Sequence, residues 1–255
     1  TYDISDNAEV YLRASFSNNR SDFQIAPSGT FGTAFTIPVQ NPFFNQDARD
    51  TIVGDLNAGA QQFLTDTNDA LNDLLAIPNP TPDDLEAIAA LQAALAADPL
   101  GFSAVGIQDL NGDGVFDAND AFTSTARRRT LELGPRTGIF DTDYSQFVLG
   151  VRGSLPGNWE AWSYDVSYQR GESDFVETRD GFTNLNNLQA GINTVSATQC
   201  IDALGNVTAA PCSPINIFGP VGSITEAQRD SGYFIAIASD IRKTVQTVWH
   251  ASIDG

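Results

Sequence analysis

Residues Tyr144–Arg170 read YSQFVLGVRGSLPGNWEAWSYDVSYQR, two strands joined by a short turn at Leu155-Pro156-Gly157-Asn158. After the turn Trp162, Tyr164, Val166 and Tyr168 share one face, while Ala161, Ser163, Asp165, Ser167 and Gln169 share the other. Before it Phe147, Leu149 and Val151 oppose Gln146, Gly150 and Arg152, with Val148 out of pattern. A period of two with one apolar face marks a half-buried β-strand. What that apolar face meets has to be read from the flanking sequence.

The same alternation recurs near both ends of the chain. In Ala8–Ser17, Val10, Leu12, Ala14 and Phe16 oppose Glu9, Tyr11, Arg13 and Ser15. In the last strand Val245, Thr247, Trp249, Ala251 and Ile253 oppose Thr244, Gln246, His250, Ser252 and Asp254, with Val248 as the exception. A further strand is expected over about Ser124–Leu133, and the segment Asn18–Asn45 is expected to be irregular, since Pro38 and Pro42 exclude a central strand there. One connection, Leu155–Asn158, is very short, whereas others run for tens of residues. Strands of about ten residues with that asymmetry match a transmembrane barrel, with short periplasmic turns and long extracellular loops. Trp159 and Trp162 beside the short turn suit an interfacial aromatic girdle. A secreted β-sandwich alternates in the same way, but loops this long are rare in compact sandwiches.

Composition bounds the partners. The chain has 255 residues with 13 Lys and Arg against 32 Asp and Glu, a formal charge of −19. Such a chain repels nucleic acid and anionic headgroups and attracts metal cations. It contains no run of eighteen apolar residues, so no transmembrane helix is expected, while barrel strands escape such a search. It starts Thr1-Tyr2-Asp3 without a signal peptide and contains no Met; the chain reads as a piece of something longer.

Two long segments interrupt the strands. The first, residues 46–122, carries Ile52, Leu56, Phe63, Leu64, Leu71, Leu74 and Leu75 at helical spacing, with Gly54 and Gly59 weakening its first half. After Pro78 and Pro80, Thr81 reads as an N-cap with Pro82 at the first helical position and Asp83 and Asp84 in the first turn. The second helix runs to about Ala97, giving a helical hairpin. DLNGDGVFDAND follows at Asp109–Asp120. Calcium loops place oxygen ligands at positions 1, 3, 5, 7, 9 and 12 with Gly at 6. Here those are Asp109, Asn111, Asp113, the Val115 carbonyl, Asp117 and Asp120, with Gly114 at the bend; Asp stands at position 12, as in dockerin-type loops. The hard oxygen set favours calcium over zinc, in a structural role; an acidic solvated turn is the alternative. The second segment, residues 171–232, is read as irregular. It has an Asn-rich turn at Asn184–Asn187, a short helix starting near Ser223 with Glu226 at capping-box spacing, and Cys200 and Cys212. A close pair without CxxC spacing or His neighbours suits a disulfide in an oxidising compartment.

Four segments carry a family resemblance: IPVQNPFF (Ile37–Phe44), RRRTLELGPR (Arg127–Arg136), FVLGVRGSLPGNWEAWSYDVSYQRG (Phe147–Gly171) and CSPINIFGPVGSITEAQ (Cys212–Gln228). In order and spacing they resemble the barrel of TonB-dependent outer-membrane receptors, in particular their larger, long-looped bacterial members. The resemblance implies a 22-stranded barrel with an N-terminal plug, importing a scarce nutrient (a siderophore, cobalamin or oligosaccharide) with energy from the TonB complex. Plug, TonB-binding segment and an aromatic-ended last strand are not in this sequence, so the chain is expected to be an internal barrel fragment.

The expected fold is therefore mainly β, an antiparallel meander forming part of a transmembrane barrel across residues 1–255, with loops 46–122 and 171–232 outside the cell. Arg13, Arg152, Asp165 and Gln169, on polar strand faces, are the candidate lumen residues. No nucleophile–His–acid set is legible, since His250 lies on a strand among Thr and Ser, and an enzyme is not expected. The competing reading is a calcium-stabilised extracellular adhesion or scaffolding module. Strand direction poses a difficulty. If Pro156-Gly157 is the inner turn, Ala8–Phe16 and Arg127–Leu133 both run up with no strand between them. Either Gly32–Val39 is a partial strand, or, as favoured, Arg127–Leu133 is a hairpin arm above the membrane.

Overall fold

The structure, a computed structural model of the chain, describes residues 1–208 and 212–255. The chain begins with β1 (Tyr2–Ser5) and β2 (Ala8–Ile25), joined by a tight turn, and a short β3 (Ala34–Pro38). Then come α1 (Gln46–Leu75), α2 (Pro82–Ala97), α3 (Phe102–Val105), β4 (Ile107–Gln108) and β5 (Ala121–Thr125). The long strands β6 (Arg136–Ser154) and β7 (Ser163–Thr183) follow. After α4 (Leu185–Ile192), β8 (Thr194–Ser196), β9 (Gln199–Cys200) and α5 (Glu226–Asp230), the chain ends in β10 (Ile235–Asp254).

Contacts divide the chain into two compact units. One comprises Thr1–Ala26, Pro135–Phe182 and Ala236–Gly255; the other comprises Pro27–Gly134 and Thr183–Ile235. The first is a five-stranded sheet in the order β1-β2-β6-β7-β10. Pairing is antiparallel and unbroken from Ala8↔Gly153 to Ile25↔Arg136, and from Ser154↔Ser163 to Thr137↔Asp180. The contacts Tyr168–Trp249 and Glu172–Lys243 run in opposite senses along β7 and β10, so that pair is antiparallel too. The sheet is an open meander whose edges are β1 and β10, not a closed barrel. The β1–β2 link is a two-residue turn, whereas the β6–β7 link runs over residues 155–162 around a 3₁₀ turn at Gly157–Trp159, longer than the four-residue turn expected and with Ala161 and Trp162 outside the strand; both links lie at one end of the sheet.

The direct β2–β6 pairing removes the strand-direction difficulty, because no strand is needed between them. Residues 127–133 are not a strand of this sheet. Their backbone is pinned to Ser28–Thr30 (Thr30 N to Arg128 O, 2.9 Å; Thr130 N to Ser28 O, 2.9 Å) and then tightens into a 3₁₀ turn over Leu131–Leu133. Gly32–Val39 contributes β3 to a separate three-stranded sheet, in the order β3-β5-β4, where Pro38 closes an edge strand. That edge is covered by the Gln189 amide, which accepts from Thr36 N (3.0 Å) and donates to Thr36 O (2.8 Å).

The second unit holds the hydrophobic core: Phe35, Ile37, Val39, Phe116, Phe122, Leu188, Ile192, Ile215, Ile217 and Phe234 are all buried. The helical hairpin forms as its sequence dictates. Asn45 caps α1 (Ala48 N to Oδ1, 2.8 Å), and Thr81 and Asp84 make a reciprocal capping box on α2. Helix α1 runs unbroken through Gly54 and Gly59. Smallness is required where α1 meets the turn after α2. Ala60 is buried, and a Cβ on Gly101, which has φ +69°, would lie 2.7 Å from the Ala60 carbonyl oxygen.

Three expectations for residues 171–232 change. The strand β7 continues to Thr183, so the irregular segment starts later. The Asn-rich stretch is the start of α4, with Asn184 as its N-cap (Asn187 N to Oδ1, 3.1 Å). The short helix is capped by Thr225 with Gln228, not by Ser223 with Glu226, because the Ser223 hydroxyl is engaged with Arg128 and Asn216 O.

Candidate functional site

Register sorts the side chains of the long sheet onto two faces. Glu9, Arg152 and Asp165 lie on one rung of the polar face, with Tyr11 one rung further along. Arg152 Nε donates to Glu9 Oε1, its guanidinium lies 5.5 Å from the Tyr11 ring centre, and the Tyr11 hydroxyl donates to Asp165 Oδ1 at 2.8 Å. Tyr11 can reach because its ring lies across Gly150, where a Cβ would stand 2.3 Å from Cζ. Arg13 and Gln169 share the same face, flanking Val148. All four candidate lumen residues thus fall on one face. A cavity of about 770 Å³ at the end carrying the two links is lined by Asp3, Asp6, Glu9, Arg152, Asp165 and Asp254 among others. Glu9 and Tyr11 were the missed members; their alternation with Val10 and Leu12 placed them on the correct face, but only the pairing of β2 with β6 made them partners.

The opposite face is apolar along the half of the sheet nearest those links. It carries Val10, Leu12, Ala14 and Phe16 on β2, Phe147, Leu149 and Val151 on β6, Tyr164, Val166 and Tyr168 on β7, and Val245, Trp249 and Ile253 on β10. These side chains are not packed away: Phe16 is 74% and Trp249 75% exposed. Among the described residues, every buried hydrophobic belongs to the second unit. Arg170, beside Phe147, is a charged residue that interrupts this face; a sheet with so large an exposed apolar patch and no core of its own presents an interaction surface.

Beyond Phe16 the polarity of the two faces exchanges without a break in register. The formerly apolar face carries Asn18, Arg20, Asp141, Asp143 and Asp174, with Asn18 Nδ2 donating to Asp143 at 2.8 Å and Asp141 at 3.2 Å. The formerly polar face gains Phe23, Phe140 and Phe175.

In the second unit, the loop at 109–120 is closed by its own side chains. Asp109 accepts from Gly112 N (2.7 Å) and Gly114 N (2.8 Å), Asp113 from Val115 N (2.8 Å), and Asp117 from Asn119 N (2.7 Å). Asp120, almost fully buried, accepts from Leu110 N and Asp117 N, both at 2.9 Å. Burial pushes the Asp120 carboxyl up from its ordinary range, and Asp109 and Asp117 add to this, while the two backbone bonds oppose it. Gly114 holds the bend at φ +77°. Among the described residues, no group of three or more His, Cys, Asp or Glu is gathered as a metal-holding set. The carboxylates of this loop are turned to its backbone.

Cys200 and Cys212 form a disulfide, with Cα atoms 5.8 Å apart. Three of the four segments that carry the resemblance also meet in this unit. Arg128 donates to the carbonyls of Gly219 (2.9 Å), Pro220 (3.1 Å) and Asn216 (3.3 Å) and to Ser223 Oγ (2.7 Å), and pairs with Glu132. Phe44 packs against Phe218, with ring centres 4.6 Å apart. No helix among the described residues is long and apolar enough to cross a membrane, which leaves strands that cross untouched. No family model, curated protein or solved structure matches the chain.

Proposed function

We propose that this chain contributes a run of strands to the barrel of an outer-membrane receptor of the TonB-dependent kind, which takes up a scarce nutrient. The exposed apolar belt on a coreless sheet carries this reading. From Ala8 to Phe16 it has the length of a membrane-crossing barrel strand, roughly 9–11 residues. Lipid supplies the surrounding that the sheet lacks, and the open edges β1 and β10 take further strands. On the rule that barrel turns are short on the periplasmic side and long outside, the short links would face the periplasm, and loop 46–122 and the disulfide segment would stand outside the cell. Arg13, Arg152, Asp165 and Gln169 then face the lumen. The nutrient is bound and passed on without bond breakage, and TonB acts through a plug.

Calcium at Asp109–Asp120 is part of the proposal. The donor types and their order fit the ion, with Asp109, Asn111, Asp113, Val115, Asp117 and Asp120 as the residues that would hold it, and Gly114 makes the required bend. The ion would cross-link the loop without taking part in transport. Isothermal titration with CaCl₂ should show one site that Asp109→Asn together with Asp113→Asn abolishes; the absence of calcium heat from the unaltered chain would leave an acidic turn.

Detergent dependence tests the main reading. The chain should be monodisperse only with detergent, and deleting residues 184–232 from the full receptor should abolish uptake while leaving it in the outer membrane. A monodisperse protein in plain buffer would instead support a calcium-stabilised extracellular adhesion or scaffolding module.

A further inference from the structure

The strands of the long sheet do not stop where the apolar belt stops. They run on to Ile25, Arg136 and Thr183, and in this upper half the aromatic side chains Phe23, Phe140 and Phe175 stand on the face that carries Arg13, Arg152 and Asp165. Phe23 and Phe140 stack with ring centres 5.3 Å apart, and Phe140 and Phe175 lie 6.0 Å apart, a stripe crossing three strands. Phe23 lies flat because its neighbour is Gly138, where a Cβ would stand 2.2 Å from the ring. At the end of the stripe the Arg242 guanidinium sits 5.4 Å from the Phe175 centre. Arg242 pairs with Asp240 and Arg179 pairs with Glu177, and the four line a cavity of about 160 Å³ together with Ala238 and Ser239.

Two properties of this wall select a ligand. Its cations and anions cancel pairwise, on a chain whose formal charge is −19. A charged metal complex calls for a complementary net charge, which this wall does not have. Its chemistry is instead aromatic rings beside planar groups that present hydrogen-bond donors and acceptors together. A pyranose ring matches both: its C–H face packs on a phenyl ring, and its hydroxyls, each donor and acceptor, engage guanidinium and carboxylate.

We propose that the Phe23–Phe140–Phe175 stripe is a track for a neutral oligosaccharide, with Arg179, Asp240 and Arg242 binding hydroxyls at its end and Glu177, which is buried, fixing Arg179. The proposal rests on the barrel reading, since that reading makes this face the inner one. It narrows the transported nutrient to sugars.

The full-length receptor in detergent is titrated calorimetrically with maltohexaose, cellohexaose, xylohexaose and mannohexaose. At least one should bind, and Phe140→Ala and Phe175→Ala should each weaken that binding tenfold or more. Phe147→Ala, on the outer belt, should leave it unchanged. Each variant is also run unheated and heated on a denaturing gel, where a folded barrel shifts its mobility. A receptor without that shift contradicts the barrel reading itself. A shifted receptor that binds none of the four saccharides, or binds one equally well after Phe140→Ala and Phe175→Ala, overturns the track.

Discussion

The Arg128 guanidinium gathers three carbonyls, a hydroxyl and the Glu132 carboxylate, and both partners of that ion pair are nearly buried. Removing one member of a buried pair strands the other, at about 3–5 kcal/mol. Arg128→Ala should therefore lower stability in denaturant by about 3 kcal/mol or more, and Arg128→Lys should recover little of it, because an ammonium cannot fork to several acceptors. Ser223→Ala removes two bonds, the one accepted from Arg128 and the one donated to the Asn216 carbonyl, and should cost about 1–2 kcal/mol. A loss below that for Arg128→Ala would remove the residue from its central place. Asp84 offers a pH test. Hydrogen bonds from the Thr81 side chain and backbone hold its carboxyl below the ordinary 3.8. A carboxyl depressed in the folded state contributes above its unfolded value, and the contribution is lost as pH falls through the folded one. Amide protection at the start of α2, taken relative to the intrinsic exchange rate at each pH, should thus fall on acidification below about pH 4, and Asp84→Asn should flatten that step. The residue types of these sites were readable in the sequence; their partners were not, since Arg128 and Gly219 stand 91 positions apart.

At the scale of elements, local signals were dependable where the element satisfies itself. Helix α2 follows Thr81, Pro82 and Asp84 as written, and the cysteine pair forms its bond. Replacing both Cys200 and Cys212 by Ser should cost about 2–4 kcal/mol, chiefly by freeing the unfolded chain; an unchanged denaturation midpoint in oxidising buffer would count against a structural role. Signals misled where tertiary contact takes the capping group. Ser223 has good capping spacing, yet Arg128 and the Asn216 carbonyl hold its hydroxyl, so Thr225 caps α5 instead. Gly101 shows the reverse case, a residue whose necessity lies in packing. Gly101→Ala forces a side chain at φ +69° against the Ala60 carbonyl. A loss of about 1–3 kcal/mol should follow, read from the thermal midpoint of the chain.

For the molecule as a whole, the exchange of faces along β2, β6 and β7 is the property open to the most direct measurement. Nitroxide labels at Leu12, Leu149 and Val166 should collide with oxygen and be shielded from a nickel chelate in lipid vesicles. Labels at Asn18, Asp143 and Asp174 should do the opposite. Equal chelate access at both levels would mean that no bilayer boundary crosses the sheet near Phe16. The exchange also explains why the upper strands were hard to read. Period-two alternation persists, but the apolar phase moves from Val10, Leu12 and Phe16 to Phe23 and Ile25, with Ser17–Ser21 polar between. A search for one apolar face ends at the crossover and mistakes the rest for loop, which is why residues 18–25 and 171–183, expected to be irregular, are the upper halves of β2 and β7.

By itself the sequence determined the faces of the lower strands, the helical hairpin and the place of the reversal at Pro156-Gly157, though not the length of that link, because each is set by side chains within a few residues of one another. Only the tertiary structure decided that β2 pairs with β6 across the intervening residues 27–134, that residues 127–133 brace the second unit instead of joining the sheet, and that the buried hydrophobic residues belong to that unit and not to the long strands. Those outcomes depend on contacts between residues about a hundred positions apart, and no local period encodes which distant backbone a strand will meet.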